Sequence, residues 1–190
     1  DAGLATAAPT RDPQGGAERV LGSRPALGGQ FPKQVRVKRD RENEEPKLFQ
    51  LDAALDGVKT QAELYEVVGR SRVTKVIDGD NACILAYGQT GSGKTYSMFG
   101  PNEVLSNFNA LKDRDEIGVV PRAVTQLFQG LGEKVESGRT ERYKVKCSYV
   151  EVYQGEVNDL LSGNKKLVMR MGRAQGKMEK NVSSTEEAMK

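Results

Sequence analysis

The sequence predicts an α/β fold organised around an anion-binding loop, on three observations. An apolar run of strand length, residues 82–87, feeds directly into Gly88-Gln-Thr-Gly-Ser-Gly-Lys-Thr95, which reads G-x-x-x-x-G-K-S/T. The residues that follow, Lys94-Thr-Tyr-Ser-Met-Phe99, are read as a helix opening at the end of that loop. Before the run, a capping signal and a 3.6-residue apolar period mark another helix, so helix, strand, loop and helix alternate. That order belongs to a sheet with helices packed on its faces.

The loop's composition follows from what a phosphate needs. Glycines let consecutive backbone N–H groups curl into one concave nest without Cβ clashes. The helix after it adds unpartnered N–H groups and the positive end of its dipole. Gly88, Gln89, Thr90, Gly91, Ser92 and Gly93 are the expected cradle. Lys94 is the expected charge on the β/γ-phosphates and the group that acts in catalysis, and the Thr95 hydroxyl is the expected Mg²⁺ ligand.

The length of 190 residues suits one domain with a real core, or most of one. Hydrophobic residues make up 37% and charged ones 29%, an ordinary globular balance. A net charge of +3 gives no argument for nucleic acid or a membrane surface. No apolar run is long enough to span a bilayer, and the N-terminus lacks the apolar core of a signal peptide. The chain starts at Asp1 rather than Met, so a piece of something longer is expected. Cys83 and Cys147 fall in apolar strand candidates and are expected to be buried, reduced thiols of a cytosolic protein.

In chain order, residues 1–17 are small and poor in large apolar groups and read as a disordered arm. Val35 to Lys38 alternates like an edge strand, the mixed charges of 39–45 suit a solvated turn, and Phe49 to Leu51 is a short strand. Thr60-Gln-Ala-Glu63 is a capping box that opens a helix to Asp78. Leu64, Val67, Val68, Val73, Val76 and Ile77 share one face of it, and Gly79 suits its left-handed stop. Residues 101–116 read as a polar surface loop, and Pro121 as the first position of the next amphipathic helix. Tyr143 through Val152 suggests one long strand, half-buried at first and deeper later. Asp159 follows a helix-like Glu-Val-Asn turn, Leu167 to Met169 is a short strand, and Ser184-Thr-Glu-Glu187 is a second capping box.

Taken together these stretches resemble the N-terminal half of a kinesin motor domain. The resemblance is carried by Asn81-Ala-Cys-Ile-Leu-Ala-Tyr-Gly-Gln-Thr-Gly-Ser-Gly-Lys-Thr-Tyr-Ser-Met-Phe-Gly100, then Gly118-Val-Val-Pro-Arg122, then Ser148-Tyr-Val-Glu-Val-Tyr153 with Glu156-Val-Asn-Asp-Leu-Leu161. Val182-Ser-Ser-Thr-Glu-Glu-Ala-Met189 is similar to the start of the helix before the family's switch I. It covers residue 49 to the end and, weakly, the segment before. What it implies is a P-loop NTPase with a mixed central sheet and helices on both faces, incomplete in this chain, with residues 18–190 as a partial motor domain.

The resemblance also implies ATP or ADP with Mg²⁺, microtubules as partner, a cytoplasmic place on the cytoskeleton, and dimerisation only through segments outside this chain. It implies that adenine lies against an R-x-R-P segment and the ring after the P-loop threonine. Tyr96 fits the ring role, with plain helix packing as the other reading. Arg24 and Pro25, in Gly22-Ser-Arg-Pro25, are the candidates for the segment, although Gly22 stands where its first arginine belongs. Residues 101–116 correspond to a variable insertion that tunes nucleotide exchange, binds small ligands or is surface loop only.

Departures from the family pattern set the limits. The switch I string N-x-x-S-S-R-S-H and the switch II string D-L-A-G-x-E are both missing, and the chain has no histidine. Asp113, Asp115 and Asp159 are read as unsuited to a metal-linked acid. Without the strands that lie beside the P-loop strand in this family, residues 82–87 should have open edges, and the chain alone should fold poorly. Three functions are weighed: part of an ATP-driven microtubule motor, a non-hydrolysing relic that binds nucleotide or a partner protein, and an unrelated small-molecule kinase. The third is read as lacking both acceptor-binding arginines in a lid and a downstream acidic strand end.

Overall fold

The computed structural model describes residues 5–6, 20–21, 33–37, 46–57, 59–112, 114–163 and 165–190. It forms two compact units, Asp1–Leu127 and Phe128–Lys190. In the first, β1 (Ala5–Thr6), β2 (Val20–Leu21), β3 (Gln34–Val37), β4 (Lys47–Gln50) and β5 (Ala54–Leu55) make two small sheets. β2, β3 and β4 are antiparallel neighbours, with Val35 opposite Phe49, while β1 runs parallel to β5. The alternation after Val35 thus marks a strand, with the run at Phe49 its partner, but it is the central strand of its sheet rather than the expected edge. The rest of the 1–17 arm, the charged segment 39–45, and Arg24, Pro25 and Asp113 lie outside the described residues.

The helix expected after Thr60 forms, with one interruption. Thr60 caps α1 (Gln61–Tyr65): its hydroxyl accepts the Glu63 N–H at 3.1 Å, and the Glu63 carboxylate accepts the Thr60 N–H at 2.9 Å. That backbone hydrogen bond holds the Glu63 carboxyl below its ordinary value. A π turn, Glu66–Arg70, then leads into α2 (Ser71–Ile77). Leu64 and Val68 are four residues apart but Val68 and Val73 are five, and the wider turn keeps all three buried. Around the turn, Arg70 O accepts from the Gln126 amide at 3.2 Å and the Thr74 hydroxyl at 3.0 Å. Tyr65 donates its hydroxyl to Gln126 Oε1 at 2.5 Å, and burial pushes that hydroxyl up to about 12. Val76 leaves the shared face and is exposed.

Ala53, Leu55, Leu64, Tyr65, Val68, Val73 and Val119 form the core of this unit, with Ile84, Met98 and Leu127 packed against it. At about 1.5–3 kcal/mol for each large apolar side chain withdrawn from water, this cluster is the unit's main favourable term. Residues 82–87 touch it on one side only. They pair with no strand among the described residues. Ile84 and Ala86 are half-buried, whereas Leu85 and Tyr87 are 83% and 95% exposed. That is the two-residue alternation of an extended segment covered on one face. Cys83 is exposed rather than buried, because it lies on the open face; Cys147 is half-buried, and both are free.

The segment leads through the glycine loop into α3 (Lys94–Phe99). Residues 101–116 are not a plain polar loop, for they contain α4 (Asn102–Ser106) and α5 (Phe108–Leu111). Val104 and Phe108, four apart, are both buried and turn the excursion inward. Gly118 closes it, donating its N–H to Phe99 O at 3.0 Å. A Cβ on Gly118 would stand 2.5 Å from main-chain atoms of Met98 and Phe99, so only glycine fits. α6 (Val119–Glu136) begins two residues before Pro121, which is harmless because the first four helical N–H groups have no helical acceptor. Arg122 reaches back to Ile117 O at 2.9 Å and Asp115 O at 2.8 Å.

The second unit holds β6 (Val145–Cys147), β7 (Val150–Tyr153), β8 (Glu156–Asp159), β9 (Lys165–Arg170), β10 (Arg173–Gln175), β11 (Lys180–Val182) and α7 (Thr185–Ala188). The single strand suggested by 143–152 is two: β6 pairs with β11, and β7 opens the meander β7-β8-β9-β10. Tight turns at Gln154-Gly155, joining β7 to β8, and at Met171-Gly172, joining β9 to β10, have positive φ at both residues, the pattern that matches strand twist. Its later half is not deeply buried, since Val152 is 72% exposed. Asp159 ends a strand instead of following a helical turn. Its buried carboxylate accepts the N–H groups of Met178 at 2.5 Å and Leu161 at 3.0 Å, and these hold it below its usual value. Ser184 caps α7 by accepting the Glu187 N–H at 3.2 Å, but the Glu187 carboxylate turns to Ser183, so the second capping box is only half made.

Replacing Gly118 by Ala should destabilise the chain by about 1–3 kcal/mol in a denaturant titration; an unchanged midpoint would show that the main chain at 98–99 yields. Glu179 holds Lys146 at 2.9 Å and Lys177 at 3.0 Å, and these partners, Lys146 first, lower its carboxyl to about 2. A depressed folded value contributes stability that is complete above the ordinary 4.5 and is lost as pH falls toward 2. Thermal melts across that window should therefore fall less steeply for Glu179→Gln than for the wild type, and equal slopes would count against the ion cluster.

Candidate phosphate-binding site

The loop is shaped by its own carbonyl groups. Ser92 N–H donates to Gln89 O at 3.2 Å and tightens the turn. Gly93, at φ +87 and ψ 13, takes the left-handed conformation from which α3 starts. Lys94 folds back over the loop, and its Nζ donates to Gly88 O at 2.8 Å and to Gln89 O at 2.7 Å. An ammonium has three N–H donors, and these two bonds leave one for an anion at the mouth. A Cβ on Gly88 would lie 2.4 Å from Ser92 Oγ and 3.2 Å from Ser92 Cβ, so a side chain there would push the Ser92 hydroxyl aside.

α3 is only six residues long, so its macrodipole is small. The unpartnered N–H groups of its first turn, rather than a long dipole, make this end attractive to an anion. Residues 88–96 are therefore brought together as one curled loop and one helical turn. Gln89, Thr90, Gly91, Thr95 and Tyr96 are exposed, and Lys94 is half-buried.

For a divalent cation the protein offers less. Thr95 places one exposed hydroxyl beside the loop, and no group of three or more acidic, Cys or His side chains is gathered for a metal among the described residues. Mg²⁺ fits such a site in the way it fits other phosphate loops, carried largely by phosphate oxygens and water. Asp159 is committed to main-chain N–H groups. The string Asp115-Glu-Ile-Gly118 has the D-x-x-G spacing, but it closes the 101–118 excursion and follows no apolar strand.

One residue of this site is not legible in the motif. Gln61, the first residue of α1, is buried, and its Nε2 donates to Tyr96 O at 2.6 Å. Its Oε1 is also buried and has no partner among the described residues. In the sequence it is a glutamine after an N-cap, indistinguishable from an ordinary helix-surface residue.

The kinesin motor domain family model matches residues 18–190. The kinesin-like protein KIF3C of Bos taurus is 34% identical over 173 residues, 89% of this chain and 20% of its own length. Kinesin-like protein KIN-12B of Oryza sativa subsp. japonica is 40% identical over 115 residues, 60% of this chain and 10% of its own. A solved structure of a fast kinesin, described for its ATPase mechanism and interactions with microtubules, superposes with a TM-score of 0.66 at 28% identity. That match covers 88% of this chain and 45% of the other. The chain thus spans a fifth or less of these two curated relatives and under half of that motor structure. With a loop of this geometry inside a match of this extent, the chain belongs to the kinesin motor domain family.

Proposed function

We propose that residues 88–96 hold the phosphates of ATP or ADP with Mg²⁺, and that residues 18–190, behind a 1–17 arm, are the phosphate-binding part of a motor domain. In the complete protein this part would serve ATP hydrolysis coupled to movement along microtubules, on the cytoplasmic cytoskeleton. The observation that carries the reading is Lys94: its ammonium is pinned over the loop by the Gly88 and Gln89 carbonyls with one donor to spare. Thr95 would share the metal, which neutralises phosphate charge when bound. Tyr96, with its ring half exposed next in sequence, is the candidate surface for the base, and Arg24 and Pro25 are its candidate companions.

The chemistry available from these residues is positioning and charge stabilisation. The loop amides and Lys94 orient a phosphate chain, and Thr95 fixes the side on which the metal sits. A second reading, nucleotide binding without hydrolysis, is favoured by one observation: no group of three or more acidic, Cys or His side chains is gathered for a metal among the described residues.

Lys94→Ala should weaken binding of a fluorescent ADP about tenfold or more, the value of a charge-assisted hydrogen bond. Undiminished binding would remove the loop from the proposal. Thr95→Ala should leave nucleotide bound but make its affinity insensitive to Mg²⁺, and a metal response equal to the wild type's would exclude Thr95 as ligand. Phosphate release that rises on adding microtubules would select the motor reading, and release at the uncatalysed rate would select the second.

A further inference from the structure

We infer that Gln61 is a positioning residue for the phosphate loop, acting through the carbonyl of Tyr96; this rests on the nucleotide reading above. α3 has no fully buried side chain to seat it, and residues 82–87 before the loop pair with no strand among the described residues. Among the described residues, two hydrogen bonds from beyond the helix and its C-cap reach α3 carbonyls: Gly118 N–H to Phe99 O, and Gln61 Nε2 to Tyr96 O. The second acts one residue beyond Thr95, on the turn that carries the candidate metal ligand. Tyr96 O also accepts the Gly100 N–H at 2.8 Å, so the same oxygen ends α3 and ties it down.

The donor end of this tie is rigid. Gln61 follows Thr60, whose two capping bonds with Glu63 fix the first turn of α1, and Leu64 and Tyr65 seat that helix in the core. The acceptor end of the same amide is buried and unpartnered. Folding alone disfavours that arrangement, because an apolar side chain of similar length would fill the space without stranding an oxygen. The amide is explained by what its N–H does for α3.

Gln61→Met and Gln61→Glu separate the two roles in the full chain. Methionine keeps the length and removes donor and stranded acceptor together; glutamate keeps the shape and loses the donor. Both variants should release fluorescent ADP about fivefold faster than wild type, the effect of one ordinary hydrogen bond. The nucleotide-free melting temperature of Gln61→Met should not fall. Unchanged release in both variants, or a Gln61→Met chain that melts lower or fails to fold, would make Gln61 a structural residue and overturn the inference. Wild-type chain that retains no labelled ADP would overturn the nucleotide reading itself, whereas retention by wild type alongside unchanged variants would overturn only the role of Gln61.

Discussion

A loop that offers its backbone N–H groups to an anion cannot also be held in shape by them. Its anchors must grip the opposite pole of the peptide, and those found around residues 88–99 do so. Lys94 holds the carbonyls of Gly88 and Gln89, Gln61 holds that of Tyr96, and Gly118 holds that of Phe99. Of the loop amides, Ser92 N–H is engaged with a loop carbonyl, at 3.2 Å. The same constraint explains the neighbourhood. α1 must be stiffly capped because its first residue is an anchor, and Gly118 must be glycine because its amide has to reach the main chain of α3.

This division of labour compensates for a weakness next door. An extended segment gains most of its stability from ladder bonds and from burial on both faces. Residues 82–87 have neither among the described residues, and only the side of Ile84 and Ala86 is covered. The loop therefore enters from a soft side and leaves through a helix that is tied at two carbonyls. Leu85 and Tyr87 form an open apolar strip on the other side of residues 82–87.

What could be read in the sequence follows the range of the interactions concerned. The Thr60 capping box is set by neighbours within a few residues and forms where its pattern lies, and a strand forms at Val35, though in the centre of its sheet rather than at an edge. Longer-range facts were hidden. The π turn appears only once Val68 and Val73 must both face one core, and the excursion at 101–116 is polar except for Val104 and Phe108. The long strand of 143–152 divides because its first half pairs with β11 and its second with β8, and its periodicity carries no trace of that. Gln61 is the same case at the site, since its partner lies 35 residues away.

The geometry also sorts binding from turnover. A cradle of amides with one ammonium would act on phosphate oxygens that a bound nucleotide carries both before and after the reaction. Interactions shared by ground state and transition state tighten binding without hastening chemistry. Acceleration requires groups that meet charge only as the phosphoryl group moves, and an orienting partner for water. Asp115 belongs to the closure of the 101–118 excursion, where its carbonyl accepts from Arg122. On the proposed reading, residues 88–96 with Gln61 behind them would serve retention of a nucleotide, which is a separate task from speeding its hydrolysis.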